Sequence, residues 1–400
     1  MTERPIRVLF VGGGLSGGGA ERQLLQLASA LHALGHQVTV ATIAPSNCAA
    51  EFRHVLLRTG KRRNKVGALC GITGALFRLC KICMIERPDV IVGWQTVPLI
   101  LASAVGRYCR TPFVAAIRSS SPEQLSGRYR YKLQCALLRL SLRTANFVVA
   151  NSQSGIDGYT KLRMINGTTG AYIIRNGINT SEFQASSNYT TRAARTELGV
   201  AHHGPLALYV GRIAVEKDIP LLLRVIDATL AVRPELGWLV VGIERDKLIS
   251  LAAALGMSVR SDRISFVPRL QQMSLAYHSS DLLCLTSSHE GSPNCVLEAR
   301  ACGIPVISTD CGDVSECMLP NDHIVAADPE SFIFALNKVL SPAISARREC
   351  AQVLSIAGSA TQWLTVLRSV VHGGALPPGD GLILRNSPGP GNQPVEDIIK

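Results

Sequence analysis

The sequence predicts an α/β protein built from two Rossmann-like, doubly wound domains. Short apolar runs of strand type alternate with amphipathic stretches in both halves of the 400 residues. The runs are almost wholly apolar, which is typical of parallel strands covered on both faces. A chain of this length is also too long for one ordinary core and suits two domains.

The predicted elements alternate in the same way in each half. The strands of the first half are Arg7–Val11, Gln37–Thr42, Val90–Trp94, Phe113–Ile117 and Phe147–Ala150. The helices between them are Ala20–Leu34, Val66–Glu86, Val97–Tyr108 and Arg128–Arg143. The strands of the second half are Ala207–Val210, Trp238–Val241, Ile264–Val267, Leu282–Thr286 and Pro305–Ser308. Its helices are Pro220–Ala231, Lys247–Leu255 and Cys295–Ala301.

The domain boundary is expected at the polar run QASSNYTT, Gln184–Thr191. We therefore predict a first domain over residues 1–185 and a second over 190–371. A short helical pattern, Arg192–Leu198, precedes the second sheet. Residues 373–400 are rich in Pro and Gly, which predicts a poorly ordered tail.

The net charge of +12 is unevenly spread. Residues 1–190 hold 23 Lys and Arg against 8 Asp and Glu, whereas residues 191–400 hold 18 against 21. The basic first half predicts an anionic partner, such as a lipid headgroup or a phosphorylated carrier. Nucleic acid is not expected, because no recognition motif or aromatic platform accompanies the basic residues.

The chain shows neither a secretory signal nor an apolar run of the roughly 18 residues that a membrane span needs. Twelve scattered cysteines indicate reduced thiols, so a cytoplasmic location is expected. Two basic amphipathic segments, KRRNK at 61–65 and the one starting at Arg128, favour peripheral contact with the inner face of a membrane. Alternatively, their apolar stripes pack on the sheet and only the charges face outward.

The first chemistry-bearing loop reads VGGGLSGGGAERQL, between a strand and a helix. Glycines let a ligand approach the backbone, and the helix start offers amides to an anion. Gly12, Gly14 and Gly17 fit the dinucleotide fingerprint G-x-G-x-x-G, but the acidic residue expected about 20 residues later is missing. A flexible turn without a ligand is the other alternative.

The second loop reads LYVGRIAVEKDIPLLL and places Arg212 and Lys217 just beyond a strand. A guanidinium and an ammonium at the carboxyl end of a parallel strand suit the oxygens of a diphosphate. The alternative is a solvated turn in which Glu216 and Asp218 pair with Lys217.

The third loop reads HEGSPNCVLEAR, from His289 to Arg300. Ser292 is expected to cap a helix that starts near Pro293, so that the amides from Ser292 to Cys295 receive a phosphate. Glu290 and Glu298 lie on either side, and carboxylates accept hydrogen bonds from vicinal hydroxyls. The arrangement predicts a nucleotide sugar as ligand. The alternatives are an unrelated helix-start carboxylate and surface acid, or a glycosidase acid–base pair.

Five segments in this order resemble the retaining family 4 glycosyltransferases, which have the GT-B architecture of two Rossmann-like domains facing a cleft. They are GGGLSGGGAERQLLQLA, VVANSQSGIDGY, IIRNGIN, LYVGRIAVEKDIPLLL and HEGSPNCVLEARACGIPVISTDCGDVSE. The last contains the family's Glu-x7-Glu signature, Glu290 and Glu298. The resemblance covers roughly Arg7 to Val371.

This resemblance implies a role for each matching position. Arg212 and Lys217 would bind the diphosphate, Glu290 the sugar hydroxyls and Glu298 the ribose diol. The backbone amides after Glu290 would help at the phosphates; they belong to Gly291, Ser292 and Asn294. Gly13 and Gly14 would line the cleft near phosphate or acceptor. No metal or other cofactor is implied.

The resemblance further implies transfer from a nucleotide diphosphate sugar, most simply a UDP-sugar, to a glycan or lipid-linked acceptor in polysaccharide or lipopolysaccharide assembly. The chain departs from the family pattern at Arg118, where many relatives have histidine, and at Arg175, where they have proline. Arg118 cannot act as a base but is a candidate for binding acceptor phosphate or donor. A nucleotide-sugar epimerase and a non-catalytic, sugar-nucleotide-binding subunit remain alternatives.

Overall fold

The computed structural model describes residues 4–15, 18–46, 50–57, 65–120, 128–165, 170–185, 190–257, 261–341 and 353–373. For residues 65–70, 128–129 and 261 it describes the backbone alone. Gly17, most of the basic run at 61–65 and the tail beyond Gly373, on which sequence predictions were made, lie outside the described residues.

The first sheet has seven parallel strands in the order β3-β2-β1-β4-β5-β6-β7. The strands are β1 Arg7–Gly12, β2 Gln37–Thr42, β3 Arg53–Leu56, β4 Val90–Trp94, β5 Phe113–Ile117, β6 Phe147–Ala150 and β7 Gly170–Ile173. The helices are α1 Gly19–Ala33, α2 Lys65–Glu86, α3 Thr96–Cys109, α4 Arg128–Arg143 and α5 Gln153–Lys161.

The second sheet has six parallel strands in the order β10-β9-β8-β11-β12-β13. The strands are β8 Leu206–Val210, β9 Gly237–Val241, β10 Ile264–Val267, β11 Leu282–Leu285, β12 Val306–Thr309 and β13 His323–Val325. The helices are α6 Thr191–Glu197, α7 Ile219–Val232, α8 Arg245–Ala254, α9 Ser274–Ser279, α10 Asn294–Ala301, α11 Pro329–Val339 and α12 Ile356–His372. The predicted fold class, two doubly wound parallel sheets, is confirmed.

Each sheet is covered on both faces, and its central strands are therefore almost wholly buried. One face of the first sheet packs on α2, α3, α4 and α5, and the other on α1 and α12. The second sheet has a core on each face in the same way. The order of strands reverses between β1 and β4 in the first sheet and between β8 and β11 in the second. Ligands bind at such switch points, beyond the carboxyl ends of the strands.

Helix α12 crosses from the second half of the chain onto the first sheet. Trp363, Leu364 and Leu367 are buried there, in the same core as Phe10 and Trp94. Ile178 and Ser355 form a parallel bridge where the chain passes between the two halves. The ranges expected for the domains remain a prediction, and the packing of α12 adds a late segment to the first core.

The structure adds elements that are missing from the predicted set and corrects one helix start. Strands β3, β7 and β13 lie at or near the sheet edges. Helix α10 begins at Asn294 with Pro293 as its N-cap, and Ser292 makes no capping hydrogen bond. The prediction of Ser292 as N-cap and Pro293 as first helical residue was therefore wrong by one position, since Pro293 has an extended backbone with φ −73° and ψ 113°.

Candidate functional site

The loops that follow β8 and β11 meet at the switch point of the second sheet. Lys217 Nζ donates to Glu290 Oε1 at 2.5 Å, and Ser287 Oγ donates to the same oxygen at 2.8 Å. Burial alone would lower the pKa of Lys217, but the neighbouring Glu290 outweighs it and the pKa lies above its ordinary value. Lys217 is therefore protonated at neutral pH, and its charge is partly balanced by Glu290.

Arg212 is placed differently from Lys217, although both were predicted to bind one diphosphate. Its side chain is 69% exposed, and Nη2 donates to Glu216 at 2.9 Å. Asp218 caps α7 by accepting from the amide of Leu221 at 3.0 Å. Glu216 and Asp218 therefore do not form the ion pairs with Lys217 that the solvated-turn alternative expected.

The start of α10 lies beside Glu290, with the amides of the turn before it at the same edge of the sheet. Gly291 lies close to the first domain, because a Cβ atom on it would be 2.9 Å from Asn151 Oδ1. The hydroxyl of Ser292 is buried and has no hydrogen-bond partner among the described residues. Asn294 Oδ1 accepts from Asn176 Nδ2 of the first domain at 2.7 Å.

Glu298 lies one helical turn into α10 and is 2% exposed. The hydroxyl of Tyr277 donates to Oε2 at 2.7 Å, and Arg22 of α1 forms an ion pair with Oε1. The second partner comes from the other domain. Among the described residues each carboxylate oxygen therefore has one partner, and each keeps a lone pair that can accept a hydrogen bond from a further hydroxyl.

Arg118 follows β5 and lies beside two indole rings. Its guanidinium carbon is 3.8 Å from the ring centre of Trp94 and 5.5 Å from that of Trp363. Nη1 donates to Asn176 Oδ1 at 3.3 Å, whereas Nε is buried and has no partner among the described residues. Burial lowers the pKa of Arg118 to about 9, so the group is still cationic at neutral pH. It lies one side chain away from α10, through Asn176.

The glycine loop after β1 faces the same cleft. The carbonyl of Gly13 accepts from the amide of Ala44 at 2.8 Å, which ties the loop to the end of β2. A Cβ atom on Gly14 would be 3.2 Å from a carboxylate oxygen of Glu21. Where the loop enters α1, a Cβ atom on Gly19 would be 2.6 Å from Nδ2 of the Asn294 side chain. The loop therefore approaches α10 closely, as its glycines allow.

A further contact between the domains was not predicted from the sequence. Asp313, which follows β12, accepts from the amides of Gln153 and Ser154 at 2.7 and 2.9 Å. These amides are the first of α5, so a carboxylate of one domain caps a helix of the other. Arg175, one of the departures from the family pattern, pairs with Asp313 at 3.4 Å and also with Glu316.

The structure thus brings together Glu290, Lys217, Glu298 and the start of α10, while Arg212 points to solvent. Arg22, Tyr277, Asn176 and Asp313 were missed by sequence reasoning. Arg22 lies in the segment GGGLSGGGAERQLLQLA. A cationic side chain one turn into the helix after a glycine loop could have indicated a contact with an acidic group. Among the described residues, no three His, Cys, Asp or Glu side chains are close enough to hold a metal ion.

Two protein-family models match this chain. Residues 17–182 match the model described as Glycosyltransferase Family 4, and residues 204–342 match that described as Glycosyl transferases group 1. Together they cover every strand except β1, and the candidate site except Gly13 and Gly14.

Individual relatives match in part. A D-inositol 3-phosphate glycosyltransferase of Nocardia farcinica is 37% identical over 137 residues, which are 31% of this chain and 29% of that protein. A lipopolysaccharide core biosynthesis mannosyltransferase of Rhizobium meliloti is 30% identical over 214 residues, 48% of this chain and 60% of that protein. The chain therefore spans less than two thirds of the length of either relative.

Among solved structures, Anabaena HepE in complex with UDP and glucose superposes with a TM-score of 0.72. The sequence identity is 19%, and the match covers 91% of this chain and all of HepE. At this identity the likeness concerns the fold.

Proposed function

The chain belongs to the group 1 glycosyltransferases of family 4, and from this premise we propose that it transfers a sugar from a UDP-sugar to a glycan or lipid-linked acceptor. The acceptor class is that of polysaccharide or lipopolysaccharide assembly. The observation that carries the proposal is the Lys217–Glu290 pair beside the start of α10. It places a cation, a carboxylate and helix amides at one switch point, as a sugar diphosphate requires. The UDP and glucose bound by HepE support the choice of donor, and the part of the Rhizobium relative in lipopolysaccharide core biosynthesis supports the choice of acceptor class.

In the proposed reaction the bond between the sugar C1 and the diphosphate oxygen breaks. An acceptor hydroxyl attacks C1 from the same face, and its proton leaves with the diphosphate, so the configuration is retained. Lys217, Arg212 and the α10 amides would stabilise the charge that develops on the leaving group. A well-placed donor of this kind contributes about 3 kcal/mol to lowering a barrier. Glu290 would orient the sugar through its hydroxyls.

We further propose that Glu298 holds the ribose diol. Arg22 from the first domain pairs with this buried carboxylate, and the hydroxyl of Tyr277 donates to its other oxygen. Arg118 would contribute positive charge from the first domain, next to the cleft. Its stacking on Trp94 fixes the guanidinium plane, so we assign it to binding and not to proton transfer.

The donor assignment is tested by a thermal-shift screen with UDP, GDP and ADP and their glucose esters. We expect UDP and UDP-glucose to raise the melting temperature by several degrees at 100 times Kd, since such binding adds about 2.7 kcal/mol to stability. Arg212→Ala should weaken UDP binding roughly tenfold, because a charged hydrogen bond contributes about 1.5–3 kcal/mol. Arg192→Ala, at an exposed position of α6, is the matched control. A shift with GDP or ADP alone would reject UDP as the nucleotide.

The acceptor side of the proposal includes docking on an anionic membrane. Every described helix is either too short or too polar to cross a bilayer. Instead, the outward sides of α2 and α4, which flank α3, expose large apolar side chains: Phe77, Met84, Ile85, Leu133, Leu137 and Leu140. Exposed basic residues accompany them: Lys81, Arg130, Lys132, Arg139 and Arg143. Because α4 has no acidic residue at all, this α2–α4 surface is complementary to anionic headgroups.

Vesicle flotation tests the α2–α4 surface. The protein should float with phosphatidylcholine vesicles that contain a quarter phosphatidylglycerol, and much less with phosphatidylcholine alone. Lys132→Ala with Arg143→Ala should lower the partition coefficient roughly 30-fold, since each basic residue near the surface contributes about 1 kcal/mol. Arg192→Ala with Arg224→Ala removes the same charge from exposed positions of the second domain. Equal losses in both double variants would show that net charge, and not this surface, drives binding.

A further inference from the structure

The first sheet has a switch point of its own, between β1 and β4. The glycine loop follows β1, and Gln95 is the residue that follows β4. Parallel α/β sheets bind ligands in the crevice between two such loops. Gln95 therefore stands where a ligand of the first domain is expected, yet no motif in the sequence singles it out.

The backbone of Gln95 is strained. Its φ is 72° and its ψ 170°, a region that glycine populates and a residue with a side chain avoids. Arg110 and Asp218 also have positive φ, but both lie in the common left-handed helical region. Gln95 is held there by two hydrogen bonds: its amide donates to the carbonyl of Ala116 at 3.3 Å, and its carbonyl accepts from the amide of Leu99 at 2.9 Å. Strain that a fold maintains tends to cluster at ligand sites.

The conformation aims the Gln95 side chain at the glycine loop. Its Oε1 would be 2.9 Å from a Cβ atom on Gly13, so the amide lies against the bare backbone of that residue. The carboxylate of Glu21 lies in the same way over Gly14, 3.2 Å from an ideal Cβ position. Within the described residues, the side-chain amide of Gln95 forms no hydrogen bond, although it is half-buried.

We propose that Gln95 binds the acceptor and that the part of the acceptor it contacts is a neutral sugar; this assignment rests on the proposed glycosyl transfer. A primary amide both donates and accepts, which matches a pair of hydroxyls. The carboxylate of Glu21 next to it accepts hydrogen bonds and repels anions. An acceptor phosphate is therefore disfavoured at this point, and hydroxyls are favoured.

The strain makes a matched pair of variants informative. Gln95→Ala removes the side-chain amide but keeps a Cβ atom on the strained backbone. The strain therefore remains, and the melting temperature should stay close to that of the wild type. Gln95→Gly removes the amide and also the strain, so the melting temperature should rise. Both variants should lose acceptor binding to the same extent, although their stabilities change differently. Gln37→Ala, at an exposed position of β2, is the control.

The probe is a glycan microarray that carries neutral and phosphorylated oligosaccharides, with UDP affinity measured by calorimetry on the same proteins. We expect the wild type and Gln37→Ala to bind the neutral glycans on the array. For both Gln95 variants the signal from these glycans should fall at least tenfold, whereas their UDP affinity should change less than twofold. The assignment is overturned if either Gln95 variant binds glycans like the wild type, if the wild type retains only phosphorylated glycans, or if it retains none while binding UDP. Failure of every form to bind UDP would overturn the proposed function instead, and this assignment with it.

Discussion

Glu290→Gln is expected to lower the rate of sugar transfer at least about a hundredfold and to leave UDP affinity equal or higher. The substitution keeps an oxygen that Lys217 and Ser287 can donate to, so the loop keeps its shape. It removes the negative charge that we propose orients the sugar and that partly balances Lys217. Loss of one preorganised polar group at a reacting centre costs about a hundredfold to a thousandfold in rate.

The measurement is the release of UDP from the UDP-sugar that stabilises the protein most, with and without acceptor. Glu330→Gln, an exposed acid in the first turn of α11, is the control. A transfer rate within threefold of the wild type would remove Glu290 from the site. Conversion of the donor to a second nucleotide sugar without acceptor would instead favour the epimerase alternative.

Asp322→Ala is expected to produce the largest loss of stability, about 3–5 kcal/mol, because it strands a buried charge. Arg300 Nη1 donates to Asp322 Oδ1 at 2.9 Å, and the two side chains are 2% and 0% exposed. Asp322 also accepts from the amides of Val306 and Leu319, both at 2.8 Å. One carboxylate therefore fixes the last turn of α10, the start of β12 and the turn before β13.

Denaturant unfolding followed by circular dichroism measures the loss. Asp322→Asn retains a hydrogen-bond acceptor without the charge and should lose distinctly less than Asp322→Ala. A loss below about 1 kcal/mol for Asp322→Ala would mean that Arg300 finds water or another partner, and that this ion pair does not hold α10 in place.

The central strands were predictable because a strand that is buried on both faces needs a wholly apolar sequence. Val90–Trp94 and Phe113–Ile117 are wholly apolar in sequence and wholly buried in the sheet. Strands β3 and β13 escaped prediction because they lie at sheet edges and contain polar or basic residues, as in RHVL. Helix α12 escaped prediction for another reason: its burial depends on contacts distant in the chain, such as that of Trp363 with Trp94.

The site residues that lie close together in the sequence were predictable, and those that come from distant elements were not. Glu290, Glu298 and the start of α10 lie within one short segment, so their spacing alone indicated a common purpose. Arg22 and Tyr277 reach Glu298 from two other elements, which no local pattern reveals. For Arg212, spacing indicated a position near Lys217 but not the conformation of its side chain, which is exposed and pairs with its i+4 neighbour Glu216.

The packing of α12 on the first sheet bears on how the protein is made. During synthesis, the first seven strands leave the ribosome well before Trp363, whose ring lies 5.6 Å from that of Trp94. Until then one flank of the nascent first domain exposes the apolar patch that α12 later covers, and Arg118 has only one of its two indoles. By then the second sheet and its helices α6 to α11 have already been made, so the first domain is begun first and completed last.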